Sequence, residues 1–144
     1  MVEQDTVKLL RECDAGVKMG AASIGDVLGD VHADGLRRHL SACMTEHEKL
    51  QHEIEHLLDS YHDEGKEPAP MAKGMSWVKT NVTLAMDGSD TAIADLITDG
   101  CNMGVKSLNK YLNQYKAADE RSKDIAKRLI HLEEQLVTDI RPFL

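Results

Sequence analysis

The residues of this chain that could do chemistry fall in a few places. His52-Glu53-Ile54-Glu55-His56 spells His-Glu-x-x-His, in which two imidazoles one helical turn apart hold zinc and the glutamate activates a bound water. His47 lies a few residues earlier in a row that is otherwise apolar. Glu133 and Cys101, far along the chain, are a carboxylate and a thiol that could join an imidazole around a soft or borderline metal. There is no glycine-rich phosphate loop, and no Ser/His/Asp pattern can be placed.

What these groups can do depends on the elements that carry them. Apolar residues recur three and four apart through Leu10, Cys13, Val17, Gly20, Ile24, Val27 and Val31. That period predicts a first helix from about Thr6 to Leu28 with one face toward partners. A turn from Gly29 to Gly35 follows, with Asp34 as the expected N-cap. The second helix, to about Tyr61, has the seam Leu36, Leu40, Cys43, His47, Leu50, Ile54, Leu57, Tyr61. Gly65, Pro68 and Pro70 then break the period, and Met71 to Met86, with Trp77, reads as a short crossover helix. Ser89 is the expected cap of a third helix with the seam Ala94, Ile97, Cys101, Gly104, Leu108, Tyr111, Tyr115, and Asp90 sits in its first turn, where a carboxylate suits the helix dipole. A fourth begins near Asp119 and packs Ser122, Ile125 or Ala126, Leu129, Leu132 or Glu133, Leu136, Ile140 and Phe143 before Pro142 ends it. No strand is expected.

These seams sort the candidates. His52 and His56 fall opposite Leu50, Ile54 and Leu57, on a face with no walls to desolvate a metal-bound water, and no third ligand accompanies them. A zinc hydrolase is therefore disfavoured, and the chain reads as a non-enzyme. His47 points into the core, where an unpartnered imidazole would cost about 1–3 kcal/mol. Matching the two halves with a two-residue shift sets it against Glu133, with Cys101 at similar depth. The three could hold a metal, or His47 and Glu133 could simply satisfy each other. His32, His39 and His62 read as surface or turn residues. Cys13, Cys43 and Cys101 lie on apolar seams and read as small hydrophobes.

The halves match because a phrase recurs. Met19-Gly20-Ala21-Ala22-Ser23-Ile24-Gly25-Asp26-Val27-Leu28 returns as Met103-Gly104-Val105-Lys106-Ser107-Leu108-Asn109-Lys110-Tyr111-Leu112. Met, Gly, Ser and Leu keep register, and the match extends back to Gly16 and Gly100. Glycine inside a helix costs roughly 1 kcal/mol against alanine, so the recurrence suggests a packing role, expected where helices 1 and 3 approach each other. Gly16-Val17-x-x-Gly20-x-x-x-Ile24 and Gly100-Cys101-x-x-Gly104-x-x-x-Leu108 resemble the Gly-Glu-x-x-Ala-x-x-x-Tyr pattern of ferritin-like proteins of the rubrerythrin kind. Trp77-Val78-Lys79 followed by Asp87-Gly88-Ser89-Asp90-x-x-Ile93 is similar to an uncharacterised bacterial branch of that superfamily.

The resemblance implies an all-α fold: a ferritin-like four-helix bundle, a duplicated helical hairpin with a short crossover helix, in one domain over 1–144. Hairpin 1 would span about 2–62, the crossover 63–88 and hairpin 2 about 89–144, with helices 2 and 3 parallel. The family's di-iron ligands on helices 1 and 3 would fall at Val17 and Cys101, and neither can bridge as a carboxylate. Glu46-x-x-Lys49, Leu50-x-x-Glu53, His131-x-x-Glu134 and Glu133-x-x-Leu136 do not match the family's Glu-x-x-His, and the one true match, Glu53 to His56, lies off the core seam. The expectation is a bundle that has lost its di-iron site, carries no cofactor and acts by protein or small-ligand binding. The alternative is a residual iron, manganese or zinc protein using His47, Glu133 and Cys101.

Composition narrows the partners. A net charge of -8 argues against nucleic acid, since neutralising phosphates needs a basic surface. No apolar run reaches the length of a membrane span, and the N-terminus has no signal-like apolar stretch. An odd number of cysteines, three, without paired spacing suits a reducing, cytoplasmic setting. The expected partner is a second copy, in a homo-oligomer, or another protein.

Overall fold

Residues 2–66 and 89–144 are described by a computed structural model. Helices form where the 3.6-residue period was read: α1 (Val2–Leu28), α2 (Asp34–Ser60), α3 (Asp90–Gln114) and α4 (Glu120–Ile140), with a 3₁₀ turn over Arg141–Phe143. Among the described residues there is no strand. The expected crossover helix from Met71 to Met86, with Trp77, lies outside the described residues.

Local chemistry accounts for several ends. Ser89 Oγ accepts from the Ala92 N–H at 3.2 Å, and Asp119 Oδ1 accepts from the Ser122 N–H at 2.8 Å. Each satisfies a donor that the first helical turn leaves open. Asp34 does not cap α2. Ala33 is the N-cap residue, without a side-chain cap bond, and Asp34 pairs with Arg37 at 2.8 Å inside the first turn. The acceptor for this turn comes from the other hairpin: both Asp90 oxygens accept, from the N–H of His32 and of Ala33, each at 2.8 Å.

These bonds fix the topology. The starts of α2 and α3 share one end of the bundle. At the other end, Asp5 accepts from the Ala117 N–H at 3.0 Å and Thr6 Oγ1 from the Asp119 N–H at 2.8 Å, so α1 and α4 start together. Each hairpin is antiparallel, while α2 runs parallel to α3 and α1 to α4. Helix α1 packs on α2, α3 and α4, and α2 packs on α4. Ser60 and Asp90 therefore lie at opposite ends, roughly 40 Å apart along the axis for a helix of this length. The return begins beside α1. The Lys66 N–H donates to Asp14 Oδ2 at 3.0 Å, and the Lys66 ammonium donates to Glu12. Gly65 makes this possible with φ +87°, because any Cβ there would collide with the Asp14 carboxylate.

The buried side chains form two clusters, one above the other. One holds Leu9, Cys13, Val17, Leu50, Ile54, Leu58, Leu108, Ile125 and Leu129 among others. The second holds Ile24, Val27, Leu36, Leu40, Cys43, Ile97, Cys101, Leu136 and Ile140 among others. One seam position shifts, since Leu58 rather than Leu57 is fully buried in α2, and of the two residues left open in α4 it is Glu133, not Leu132, that is buried.

Asp90 offers a check on the tie between the hairpins. The His32 N–H bond, with burial opposing and the Ala33 N–H assisting, holds its carboxyl below the usual 3.8. A depressed folded-state pKa stabilises above the unfolded value and is lost as pH falls through the folded one. Asp90→Ala should therefore lower the thermal midpoint at pH 6, and the gap from the parent should narrow toward pH 3. Thermal melts at the two pH values measure it.

Candidate functional site

Between the two apolar clusters lies a layer to which each helix contributes one residue. In α1 the seam passes from Val17 to Ile24 across Gly20, and in α2 from Cys43 to Leu50 across His47. In α3 it passes from Cys101 to Leu108 across Gly104, and in α4 from Leu129 to Leu136 across Glu133. His47 is 1% exposed and Glu133 8%. The layer is thus a polar pair framed by two glycines in the middle of a hydrocarbon core.

The pair is closely defined. His47 Nε2 lies 3.0 Å from Glu133 Oε1. On the other side of the ring, Nδ1–H donates to the Cys43 carbonyl one turn back, at 2.8 Å, with the Cys43 thiol sulfur 3.5 Å away. That bond leaves Nε2 to face the carboxylate. Burial works against a charged ring, but the hydrogen bonds to Cys43 and Glu133 and the Glu133 charge outweigh it, lifting the His47 pKa from 6.5 to about 10. His47 is therefore held as an imidazolium against a carboxylate.

The glycines make room for this pair, which corrects the expectation that they bring helices 1 and 3 together. A Cβ on Gly20 would lie 2.7 Å from His47 Nε2 and 2.8 Å from Cδ2. The Nε2–Cδ2 side of the imidazole lies close against α1 at Gly20. A Cβ on Gly104 would meet only the Glu133 carboxyl, at 3.7 Å or more, which is ordinary contact. Both recurring glycines face Glu133, whose Oε1 a Cβ on Gly20 would also meet at 3.6 Å, but only Gly20 adjoins His47 and only there is the missing Cβ sterically required.

Cys101, in the neighbouring apolar cluster one turn before Gly104, borders this layer. Burial raises its thiol pKa first, then the nearby Glu133 charge and a hydrogen bond with that carboxylate, then Cys43. Cys13, in the apolar layer below, is pushed up to about 12 by burial, with Glu12 and Asp14 adding to it. Both are protonated and shielded, unlike reactive cysteines. His47, Glu133 and Cys101 are thus brought together as expected from the seams. Among the described residues, no group of three or more His, Cys, Asp or Glu is disposed to hold a metal ion.

The His-Glu-x-x-His string comes apart in three dimensions. His52 and His56 are exposed. Glu53 turns toward α4, where Arg128 donates to it at 2.7 Å. That bond, against a smaller opposing effect of burial, draws its carboxyl below the usual 4.5. A general base works best with a pKa near the operating pH, so Glu53 is moved the wrong way for activating water. His131 and Glu134 form an exposed pair at 3.9 Å. No family model matches the chain, and no curated protein or solved structure matches it.

Asp14, which the apolar seam of α1 does not mark, is fully buried and tied to Lys18 at 2.8 Å. Its one sequence signal was a place one turn beyond Leu10 on the inner side of α1.

Two measurements follow. Gly20→Ala should destabilise, since displacing His47 forfeits a buried bond of about 1–3 kcal/mol, more than the roughly 1 kcal/mol gained in helix propensity. Gly104→Ala should be neutral or raise the thermal midpoint. Equal effects would remove the steric account. For the pair itself, His47→Leu alone should cost about 3–5 kcal/mol by stranding Glu133, and adding Glu133→Leu should recover most of it. A raised folded-state pKa stabilises fully below the unfolded value and is lost as pH rises through the folded one. The parent should therefore lose stability relative to the double variant between pH 6.5 and 10, as read by denaturant titration.

Proposed function

We propose that this chain is a ferritin-like bundle whose di-iron site has been replaced by a structural pair, and that it acts by binding a protein or small ligand rather than by catalysis. The observation that carries this reading is the His47–Glu133 bond at 3.0 Å in the central layer. In a carboxylate-bridged di-iron bundle the inward carboxylates and histidines spend their lone pairs on metal. Here the carboxylate accepts from the imidazolium, whose Nε2 carries a proton where a ligand would offer a lone pair. Val17, fully buried, and Cys101 occupy the places where the family resemblance calls for carboxylates. The parallel course of α2 and α3, with a long connection between them, supports the ferritin-like topology over an up-down bundle.

A second reading keeps a residual iron, manganese or zinc centre at His47, Glu133 and Cys101. The convergence of these three side chains favours it. Converting the pair to ligands would require removing the proton from His47 Nε2 and deprotonating a thiol that burial and Glu133 hold protonated.

Metal analysis of untagged protein separates the two. The expected result is no stoichiometric metal that depends on the core layer. About one iron or manganese per chain, lost in the His47→Leu/Glu133→Leu variant and retained in His52→Ala, would overturn the proposal and establish the second reading.

A further inference from the structure

We propose that His52 and His56 form a surface chelate for a borderline divalent cation of the zinc, nickel or copper(II) class. This site is separate from the central layer and independent of the function proposed above. Helix α2 is continuous from Asp34 to Ser60, so residues four apart project from the same face with Cβ atoms about 5–6 Å apart. That spacing lets two imidazoles reach one ion at the usual metal–nitrogen distance of about 2.0–2.1 Å.

The histidines are also available. Both are exposed, and among the described residues neither enters a hydrogen bond or ion pair. The other helical histidines are engaged: His39 with Asp139 at 3.6 Å, His47 with Glu133, and His131 with Glu134. Imidazole suits zinc, nickel and copper(II), while magnesium and calcium want oxygen ligands. Glu48 and Asp59, each one turn beyond a histidine on the exposed surface of α2, add negative charge without being needed as ligands. Water completes the coordination shell.

The site is a binding site and not a hydrolytic one. Glu53 would be the base in a zinc protease, but Arg128 holds it at 2.7 Å on the α4 side. Because the helix sets the imidazole spacing, the cation favours the folded chain and should raise its stability by mass action.

The test uses the full, untagged chain titrated with nickel, zinc and copper(II) chlorides, followed by calorimetry and thermal melts. The expected result is one saturable site per chain and a midpoint that rises with metal. His52→Ala and His56→Ala should each weaken binding at least tenfold and abolish the midpoint shift. His39→Ala and His131→Ala should bind as the parent does, and magnesium should give no response. Both key positions are exposed, so the variants should melt like the parent without metal, and circular dichroism checks this. Two outcomes overturn the proposal: no saturable binding of any of the three metals, or binding that survives His52→Ala and His56→Ala. Loss of binding in the His47→Leu/Glu133→Leu variant alone would place the ion in the core instead.

Discussion

The bond between His47 and Glu133 sets the terms for the rest of this bundle. A charged pair inside hydrocarbon is tolerated only when both partners are held in place. Every helix supplies part of that restraint. The α2 backbone takes the far side of the imidazole through the Cys43 carbonyl, α1 gives up a side chain at Gly20 so the ring can lie against it, and Gly104 leaves α3 clear of the carboxylate. A slide of one turn between α2 and α4 would separate the pair and bury each member against hydrocarbon. The layer thus fixes the axial alignment of four helices whose other core contacts, mainly Leu, Ile, Val and Ala, would tolerate neighbouring registers.

Much of this was legible in the chain and some was not, for identifiable reasons. Periodicity located the four helices and put His47 inside, because burial along a helix is a local pattern. The choice between Leu132 and Glu133 could not be made from α4 alone. It is decided by the imidazole opposite, which makes burying the carboxylate cheaper than leaving His47 unpaired. Leu58 displaces Leu57 for a similar reason, since the inward stripe drifts where α2 meets the start of α1. The purpose of Gly20 was hidden because a missing Cβ leaves no trace of what lies beyond it. Asp34 looked like a cap by local rules, yet the turn takes its acceptor from Asp90, far along the chain.

The same contrast governs the histidine-rich face of α2. The five-residue string that most resembles a catalytic motif is divided by the helix into an outward pair of imidazoles and a glutamate committed to Arg128. Spacing in sequence survives, while the convergence that catalysis needs does not. A motif is a claim about one shared space, and on a surface helix that space is open water.

Asp90 reaches into the α1–α2 turn, and Asp5 and Thr6 reach into the α3–α4 turn. Each hairpin therefore leaves backbone donors unmet at its own bend until the other arrives. The consequence is kinetic. Two helical hairpins with short bends would ordinarily assemble quickly from local contacts, but here the closing bonds join segments more than fifty residues apart, and such non-local closure slows folding. The exchange also makes the halves mutually dependent. Neither is a finished unit alone, so the bundle should gain and lose its structure as one cooperative body.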